Sequence, residues 1–278
     1  MTPGYYLVKD KDGSVSGQDS ADYDIGDAVP FQLTGTVAQD YNDYKGAYQL
    51  VFHDTLSNGL TFNASSVKVY VNDSTDPVDT DKYTITNPTA DGHSFDVTIH
   101  DVKSLGTDVS KVRVEYTAEL NENAVIGSLG NPNKMYMEFS NNPNNEQGGE
   151  FGKTPDDTVI VFTYKVDVNK VDEQGNKLTG AEFTLEKKIK GTKDTWKAIT
   201  KVSGTAGDVF EFKGIDDGEY RLTETRAPAN YDKLSDPIYF TVTAGHVDGA
   251  NPYLDTFSGN ITSGNVGTMT FTANKDSG

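Results

Sequence analysis

Residues 159–188 read VIVFTYKVDVNKVDEQGNKLTGAEFTLEKK. Two segments that alternate apolar and polar residues flank the turn signal DEQGN, and this pattern predicts two consecutive β-strands. Because alternate side chains of a strand point to opposite faces, Lys170 shares the apolar face of Tyr164, Val166 and Val168. Lysine is rarely buried without a partner. The stretch therefore predicts either a lysine that reaches solvent from the strand end or a lysine that has lost its charge.

Segments of the same kind recur along the 278 residues and are separated by turn signals such as NGL, ADGH and DDGEY. Short, closely spaced strands of this kind are typical of β-sandwiches. The polar stretch SNNPNNEQGGEFGKTPDDT, residues 140–158, has the composition of a linker. We therefore predict an all-β fold made of two tandem immunoglobulin-like β-sandwich domains, residues 1–150 and residues 158–278.

The composition excludes several classes of function. A formal net charge of −18 disfavours binding to nucleic acid or to an anionic membrane surface. The chain has no cysteine, which excludes disulfides, thiolate metal sites and cysteine nucleophiles. It also lacks the apolar run of about 18 residues that would predict a transmembrane helix.

Two further residues occupy positions that complement Lys170. Glu224 has the inward parity of Tyr220 and Leu222 in GEYRLTET, and Asn274 ends the last strand signal, GTMTFTAN. Burial favours the neutral forms of an amine and a carboxyl group. A neutral amine can attack the asparagine carboxamide while the carboxyl group relays a proton to the leaving ammonia. The product would be an isopeptide bond that closes a loop of about a hundred residues and stabilises the domain by up to about 4–5 kcal/mol.

By alternation along a regular strand, the side chain of Asn274 would point away from the core. It follows the alternation of Thr270 and Thr272 rather than that of Phe271, so a β-bulge would have to turn it inward. Asn265 is the alternative asparagine.

These residues carry a resemblance to a known family. The stretches NKVDEQGNKLTGAEFTLEKK and YRLTETRAPANY resemble the Cna-B-type (SpaA-like) domain of Gram-positive surface proteins over about residues 158–278. The resemblance places Lys170, Glu224 and Asn274 at the family's reactive positions and gives Glu224 the catalytic role. One departure is Asn230, where the family usually has glycine before the tyrosine.

The first half resembles the isopeptide-forming D2 domain of fimbrial backbone pilins over most of residues 5–145. The stretches that carry this resemblance are DYDIGDAVPFQLTGTV, YQLVFHDTLSNGLTF and EYTAELNENAVIGSLGNPNKMYMEFSNNPN. It implies a second isopeptide bond with Asp54 as the catalytic acid, and Asp54 has the inward parity of Phe52. Asp101 is the rival acid with inward parity, whereas Glu115 and Glu119 have outward parity.

The same resemblance implies a lysine on the first strand and an asparagine on the last strand of this domain. Lys9 continues the alternation of Tyr5 in YYLVKD and is the first choice, with Lys11 as the alternative. Parity does not separate Asn133 from Asn141, and the long lysine-to-asparagine separation of the family favours Asn133.

Together the two resemblances imply a structural function. Backbone pilins are shaft subunits that sortase joins covalently into pili, so identical subunits are the expected partners and host surface ligands are possible further ones. The implied location is extracellular and anchored to the cell wall, and the chemistry is self-modification without a cofactor rather than enzymatic turnover. Neither an LPxTG motif nor a Tyr-Pro-Lys-Asn motif occurs in the sequence, so we expect both to lie in a longer protein.

Other functions receive less support from the sequence. A surface adhesin stalk or minor pilin that binds a host matrix protein would need a ligand groove or an inserted domain, and a glycan-active enzyme would need a cleft with paired carboxylates. The histidines at positions 53, 93, 100 and 246 form no HExxH or triad pattern, and we predict that they face solvent. The acidic loops have an incomplete calcium-loop pattern, so no metal site is predicted.

Overall fold

The computed structural model describes residues 5–8, 18–89, 92–199, 204–205, 210–264 and 267–272. Within these ranges the chain forms β-strands and three 3-10 helices, Tyr41–Asp43, Thr80–Lys82 and Val102–Leu105. None of the helices in these ranges is long and apolar enough to cross a membrane. The predicted all-β fold is confirmed.

The first domain is a sandwich of two sheets. Its strands are β1 (Tyr5–Val8), β2 (Ser20–Asp22), β3 (Ala28–Thr36), β4 (Leu50–Leu56), β5 (Leu60–Val71), β6 (Tyr83–Thr86), β7 (Phe95–Ile99), β8 (Lys111–Leu120), β9 (Asn131–Ser140), β10 (Phe151–Lys153) and β11 (Asp157–Phe162). One sheet has the order β1-β3-β8-β5, and the other has the order β2-β11-β9-β4-β7-β6 with β10 paired to β9.

The second domain is also a sandwich of two sheets. Its strands are β12 (Tyr164–Lys170), β13 (Glu182–Lys188), β14 (Trp196–Ala198), β15 (Gly204–Thr205), β16 (Phe210–Ile215), β17 (Gly218–Arg226), β18 (Ile238–Val247), β19 (Tyr253–Ser263) and β20 (Gly267–Thr272). The sheet orders are β15-β16-β12-β20 and β14-β13-β17-β18-β19.

Strict alternation in the sequence fills the space between the sheets. In β8 the residues Val112, Val114, Tyr116 and Ala118 are buried, and the residues between them are more exposed. The β-branched and aromatic residues of such strands pack well on a pleated, half-buried surface. The side chains at the strand ends, where the predicted sites lie, are therefore held by a well-packed core.

The boundary between the domains lies further along the chain than the sequence predicts. β10 folds back onto β9, and β11 lies between β2 and β9 in the first domain. Val159, Val161 and Phe162 of β11 are fully buried there. The stretch 140–158 is thus a hairpin of the first domain and not a linker, and the second domain begins with β12. Its polar composition misled the prediction because the hairpin loop is exposed.

The two domains meet through specific backbone contacts. Thr163, between β11 and β12, is fully buried, and the N–H of Ile25 donates to the carbonyl of Gly214 at 3.0 Å. The N–H of Asp216 donates to the Asp24 carboxylate at 2.8 Å. A Cβ at Gly214 would lie 2.2 Å from the Ile25 side chain. The close approach of the domains therefore requires glycine at this position.

A histidine and an aspartate form an ion pair in the same interface. The Nε2 atom of His246 is 2.9 Å from Oδ1 of Asp22, and the Tyr164 hydroxyl donates to the same carboxylate. Burial raises the pKa of Asp22, although the hydrogen bond from His246 lowers it. Burial lowers the pKa of His246, but the hydrogen bond and the charge of Asp22 raise it above its ordinary value.

Candidate functional site

The second domain brings Lys170 and Glu224 into contact. Lys170 is the last residue of β12, and Glu224 lies in β17 of the opposite sheet. The Nζ atom of Lys170 is 3.2 Å from Oε1 and 3.4 Å from Oε2 of Glu224. The Glu224 side chain is 0% exposed and the Lys170 side chain is 11% exposed. The amine and the acid predicted on facing apolar surfaces are therefore paired across the sandwich.

A backbone hydrogen bond holds the Glu224 side chain in place. Glu224 lies opposite Phe183 of β13, and the N–H of Leu234 donates to Oε2 of Glu224 at 2.8 Å. The loop before Leu234 contains Asn230 with a φ of +68°. This left-handed conformation favours glycine, and asparagine is one of the few other residues that adopt it readily. The departure from the family pattern at Asn230 thus preserves the backbone of this loop.

The two side chains are in hydrogen-bond contact. A distance of 3.2 Å between Nζ and Oε1 is within hydrogen-bond range. An amine and a carboxyl group in such contact have the geometry that a nucleophile and its general acid–base partner require.

The described part of the last strand has a definite register against the first. β20 runs antiparallel to β12, with Gly267 opposite Lys170 and Thr272 opposite Lys165. Lys165 and Lys170 are five residues apart in the strand, which corresponds to on the order of 16 Å. The C-terminal end of β20 thus lies at the end of β12 that is remote from the Lys170–Glu224 pair.

This register bears on the choice of asparagine, although Asn265 and Asn274 lie outside the described residues. The choice of Asn274, with Asn265 as the alternative, therefore stays a prediction. The alternation of side chains in the sequence reveals faces but not strand direction, and this is why it could not anticipate the register of β20 against β12.

The first domain contains a second buried polar group, formed by Asp54, Tyr116 and Asn133. Asp54 and Asn133 are 0% exposed and Tyr116 is 2% exposed. The Tyr116 hydroxyl donates to Oδ2 of Asp54 at 2.7 Å and accepts from Nδ2 of Asn133 at 2.6 Å. Asp54 and Asn133 lie on the adjacent strands β4 and β9, and Tyr116 reaches them from the opposite sheet. A tyrosine hydroxyl thus links the predicted acid to the predicted carboxamide.

Aromatic rings pack against the ring of Tyr116. It stacks on Phe31 at 5.3 Å between ring centroids and makes edge contacts with Phe95 at 4.9 Å and with Phe62 at 5.6 Å. Hydrogen bonds in such an apolar environment are stronger than in water. Tyr116 was not among the residues that the sequence predicted for this site. Its signal was the inward parity it shares with Val114, because a buried tyrosine hydroxyl usually needs a polar partner.

Lys9 and Lys11 lie outside the described residues, but the end of β1 approaches the site. Val8 pairs with Phe31, which in turn pairs with Tyr116 of β8. Val8 is fully buried. The choice of Lys9, with Lys11 as the alternative, stays a prediction.

The two rival residues of the first domain have structural roles of their own. Asp101 accepts the N–H groups of Tyr48 at 3.0 Å and Lys103 at 3.1 Å, and it caps the 3-10 helix Val102–Leu105. Asn141 is exposed beyond the end of β9, where its N–H donates to the carbonyl of Glu150 at 3.1 Å. These positions favour Asp54 over Asp101 and Asn133 over Asn141.

The prediction that the histidines face solvent is correct for His100, which is exposed. It is wrong for the other three, because His93 and His246 are half-buried and His53 is buried. His53 points away from the core but is only 6% exposed. Side chains of the neighbouring strands β7 and β9 cover it, which parity along a single strand cannot reveal.

Comparison with protein families assigns both halves of the chain. Residues 25–143 match the family described as Gram-positive pilin backbone subunit 2, Cna-B-like domain. Residues 164–252 match the family described as SpaA, prealbumin-like fold domain. The trypsin-resistant surface T6 protein of Streptococcus pyogenes serotype M6 is 25% identical over 277 residues, which cover 91% of this chain and 49% of that protein. The chain thus spans about half the length of this curated relative.

Solved structures share the fold. The 35 kDa C-terminal fragment of the major pilin GBS80 of Streptococcus agalactiae matches with a TM-score of 0.63 and 23% identity, covering 86% of this chain and 90% of that one. The T6 backbone pilin of serotype M6 Streptococcus pyogenes matches with a TM-score of 0.61 and 19% identity, covering 98% of this chain and 67% of that one. The arrangement of consecutive β-sandwiches is therefore one that solved pilins also have.

Proposed function

We propose that the chain is a structural shaft subunit of a covalently polymerised cell-surface pilus, because residues 25–143 match a family of Gram-positive pilin backbone subunits. Each domain is locked by an isopeptide bond that its own residues form, in a single self-modification rather than by enzymatic turnover. The covalent partners are identical subunits joined by sortase, and the pilus is anchored to the cell wall. These assignments rest in part on a curated relative of whose length the chain covers 49%.

The observation that carries this proposal is the contact of Lys170 with Glu224. An ion pair as shielded as this one costs more in desolvation than an exposed pair, so its presence needs a reason. Conversion of the lysine to an amide and of the carboxylate to a carboxylic acid would remove both buried charges. The Asp54–Tyr116–Asn133 group also contains a buried acid. Here the carboxamide of Asn133 is linked to that acid through the Tyr116 hydroxyl.

The proposed reaction balances without a cofactor. The neutral lysine amine attacks the carboxamide carbon of the asparagine, and the protonated acid donates to the amide oxygen. The new carbon–nitrogen bond forms as the bond to the original amide nitrogen breaks, and that nitrogen leaves as ammonia with the proton relayed by the acid. Each bond therefore lowers the mass of the chain by one ammonia molecule.

A bond between strands that are distant in the sequence suits a protein that carries tension. Forced unfolding is governed by the unfolding rate, and a covalent link between two strands prevents their separation. In the second domain the proposed link joins Lys170 of β12 to Asn274, with Asn265 as the alternative. In the first domain it joins Lys9, with Lys11 as the alternative, to Asn133 of β9, and β10 and β11 follow in the same domain.

Intact mass measurement combined with peptide mapping tests the proposal. We expect a deficit of two ammonia molecules, with one crosslinked peptide containing Lys170 and another containing Asn133. Mapping decides between Asn265 and Asn274, and between Lys9 and Lys11. Absence of any deficit would overturn the proposed chemistry.

Matched variants assign each bond to its residues. Lys170→Arg should remove one deficit, whereas Lys165→Arg should keep both, because Lys165 pairs with Asp167 and Glu211 on the other face of the strand. Asp54→Asn should remove the first-domain deficit, and Asp101→Asn should retain it. A first-domain bond that survives Asp54→Asn would exclude Asp54 as the acid.

A further inference from the structure

A second polar cluster lies on the outer face of the first domain, away from the isopeptide residues. His53 of β4 lies opposite Asp96 of β7 and opposite Tyr136 of β9, and His93 precedes β7. The side chains of His53, Asp96 and His93 are 7%, 14% and 16% exposed. We call His53, His93 and Asp96 the histidine cluster. Its members come from two strands and a loop, yet they are packed together near the surface.

Potential metal ligands converge in the histidine cluster. Oδ1 of Asp96 is 2.7 Å from Nδ1 of His53 and 3.4 Å from Nδ1 of His93. One ligand atom from each of the three residues lies within 4.8 Å of the others. A tetrahedral Zn²⁺ ion with nitrogen and oxygen ligands at about 2.0–2.2 Å separates those ligands by on the order of 3.3 Å. Small movements of these side chains would give that geometry.

The outer nitrogen of each imidazole already has a partner. Nε2 of His53 is 2.8 Å from Oε2 of Glu138, and Nε2 of His93 is 3.2 Å from the Tyr136 hydroxyl. Metal-binding histidines characteristically use their second nitrogen in this way, which fixes the ring and directs the other lone pair at the ion. The Tyr136 ring also stacks on His53 with a centroid distance of 4.5 Å. Both the inner ligands and their supporting shell are therefore present.

Two carboxylates lie beside the ring of His53, so a cation at this position would be stabilised. A neutral imidazole has one donor and one acceptor, but both ring nitrogens of His53 face carboxylate oxygens, at 2.7 Å and 2.8 Å. If Nε2 donates to Glu138, the Nδ1 lone pair faces the Asp96 carboxylate and is repelled by it. A divalent ion between these atoms converts the repulsion into two bonds. A second proton on His53 would also relieve it, so the two explanations need separate tests.

We propose that the histidine cluster binds one divalent transition-metal ion of the zinc type. Two imidazoles and a carboxylate suit zinc, and they leave a fourth position for water. The bound ion would tie β4 to β7 and to the loop that precedes β7. Neither the isopeptide chemistry nor the proposed shaft function requires this site.

Titration of the metal-free chain with Zn²⁺ near pH 7, followed by calorimetry, tests the site. We expect one equivalent to bind, with release of protons and weaker binding at lower pH. His93→Asn should weaken binding by roughly tenfold or more, because it removes a ligand from a loop outside the core. His100→Asn is the matched control, since His100 is exposed and bonds to Thr84, and it should bind as the parent does.

Two results would overturn the proposal. One is unsaturable binding by the parent, or equal affinity in the parent and in His93→Asn, which would assign the zinc to surface carboxylates. The other comes from nitrogen NMR of the parent imidazoles, which requires no substitution. If both ring nitrogens of His53 carry protons and their signals do not respond to Zn²⁺, the cluster is held by a proton. A zinc-dependent shift of the Nδ1 signals of His53 and His93 would support the site.

Discussion

At the scale of single residues, the chemistry depends on buried polar atoms that have defined partners. The alternation of residues in the sequence pointed to Asp54, Lys170 and Glu224, whereas Asn133 was preferred to Asn141 because of the resemblance to the pilin family. It missed Tyr116, since an inward tyrosine looks like an ordinary core residue until its hydroxyl is placed. Parity along one strand reports the face of a residue but not which atom of the opposite sheet it meets.

Removal of the Tyr116 hydroxyl is the sharpest residue-scale test. Tyr116→Phe keeps the aromatic packing but breaks the bridge between Asp54 and Asn133. We expect the unfolding free energy of the first domain to fall by about 1–3 kcal/mol, the range for buried polar groups that lose a partner. We also expect the first-domain crosslink to form more slowly, and the appearance of the mass deficit over time in newly synthesised chain measures this rate.

Tyr44→Phe provides the matched control, because the Tyr44 hydroxyl donates to the carbonyl of Ser140 at 3.3 Å, away from the acid. It should change stability without changing the rate of crosslinking. Equal rates in Tyr116→Phe and the parent would show that the hydroxyl has no part in the reaction.

At the scale of elements, the alternation of residues predicted the strands and the sandwiches but not their partners. The polar composition of residues 140–158 predicts a linker, yet β10 and β11 pair with β9 in the first domain. The direction of β20 against β12 was likewise absent from the pattern. Pairing depends on contacts between distant segments, which local composition does not encode.

The assignment of β11 predicts where the first domain can be cut. A fragment of residues 1–163 should fold, whereas residues 1–150 should not. The shorter fragment lacks β11, which contributes the fully buried residues Val159, Val161 and Phe162 and separates β2 from β9. Loss of this burial costs on the order of 5 kcal/mol, comparable to the whole stability of a typical domain.

Circular dichroism and thermal unfolding of the two fragments measure this difference. The first-domain mass deficit in the longer fragment shows in addition whether its site is complete. A cooperative transition of the shorter fragment at the same temperature would contradict the role given to β11.

At the scale of the whole molecule, hydrogen bonds and a close contact at Gly214 join the two sandwiches. Gly214→Ala tests this directly, because the new Cβ would meet Ile25 and the φ at this position is +89°. We expect weaker docking of the two domains, seen as faster amide exchange near Ile25 and Gly214, while both proposed crosslinks remain.

Gly175→Ala is the control, since the φ of Gly175 is +83° and a Cβ there would meet nothing within 4 Å. The difference between the variants isolates the interface contact from backbone strain, and equal amide exchange in both would contradict the contact.

The ion pair in the interface makes docking depend on pH. The pKa values of His246 and Asp22 are both raised in the folded chain, so the docked form holds protons more tightly than the unfolded form. The stabilisation from His246 is complete below its ordinary pKa of about 6.5 and is lost as the pH rises through its raised folded value. The sign for Asp22 is the same, since its ionised form is the one that burial penalises.

We therefore expect the stability difference between the parent and His246→Gln to be larger near pH 6 than near pH 9, measured by thermal unfolding. Taking the difference removes the titration of other groups that both proteins share. His100→Gln, at an exposed histidine, is the control for the substitution itself. A difference for His246→Gln that grows with pH would mean that Asp22 and His246 dock as a neutral pair, and docking would then depend on the backbone contacts around Gly214 and Thr163.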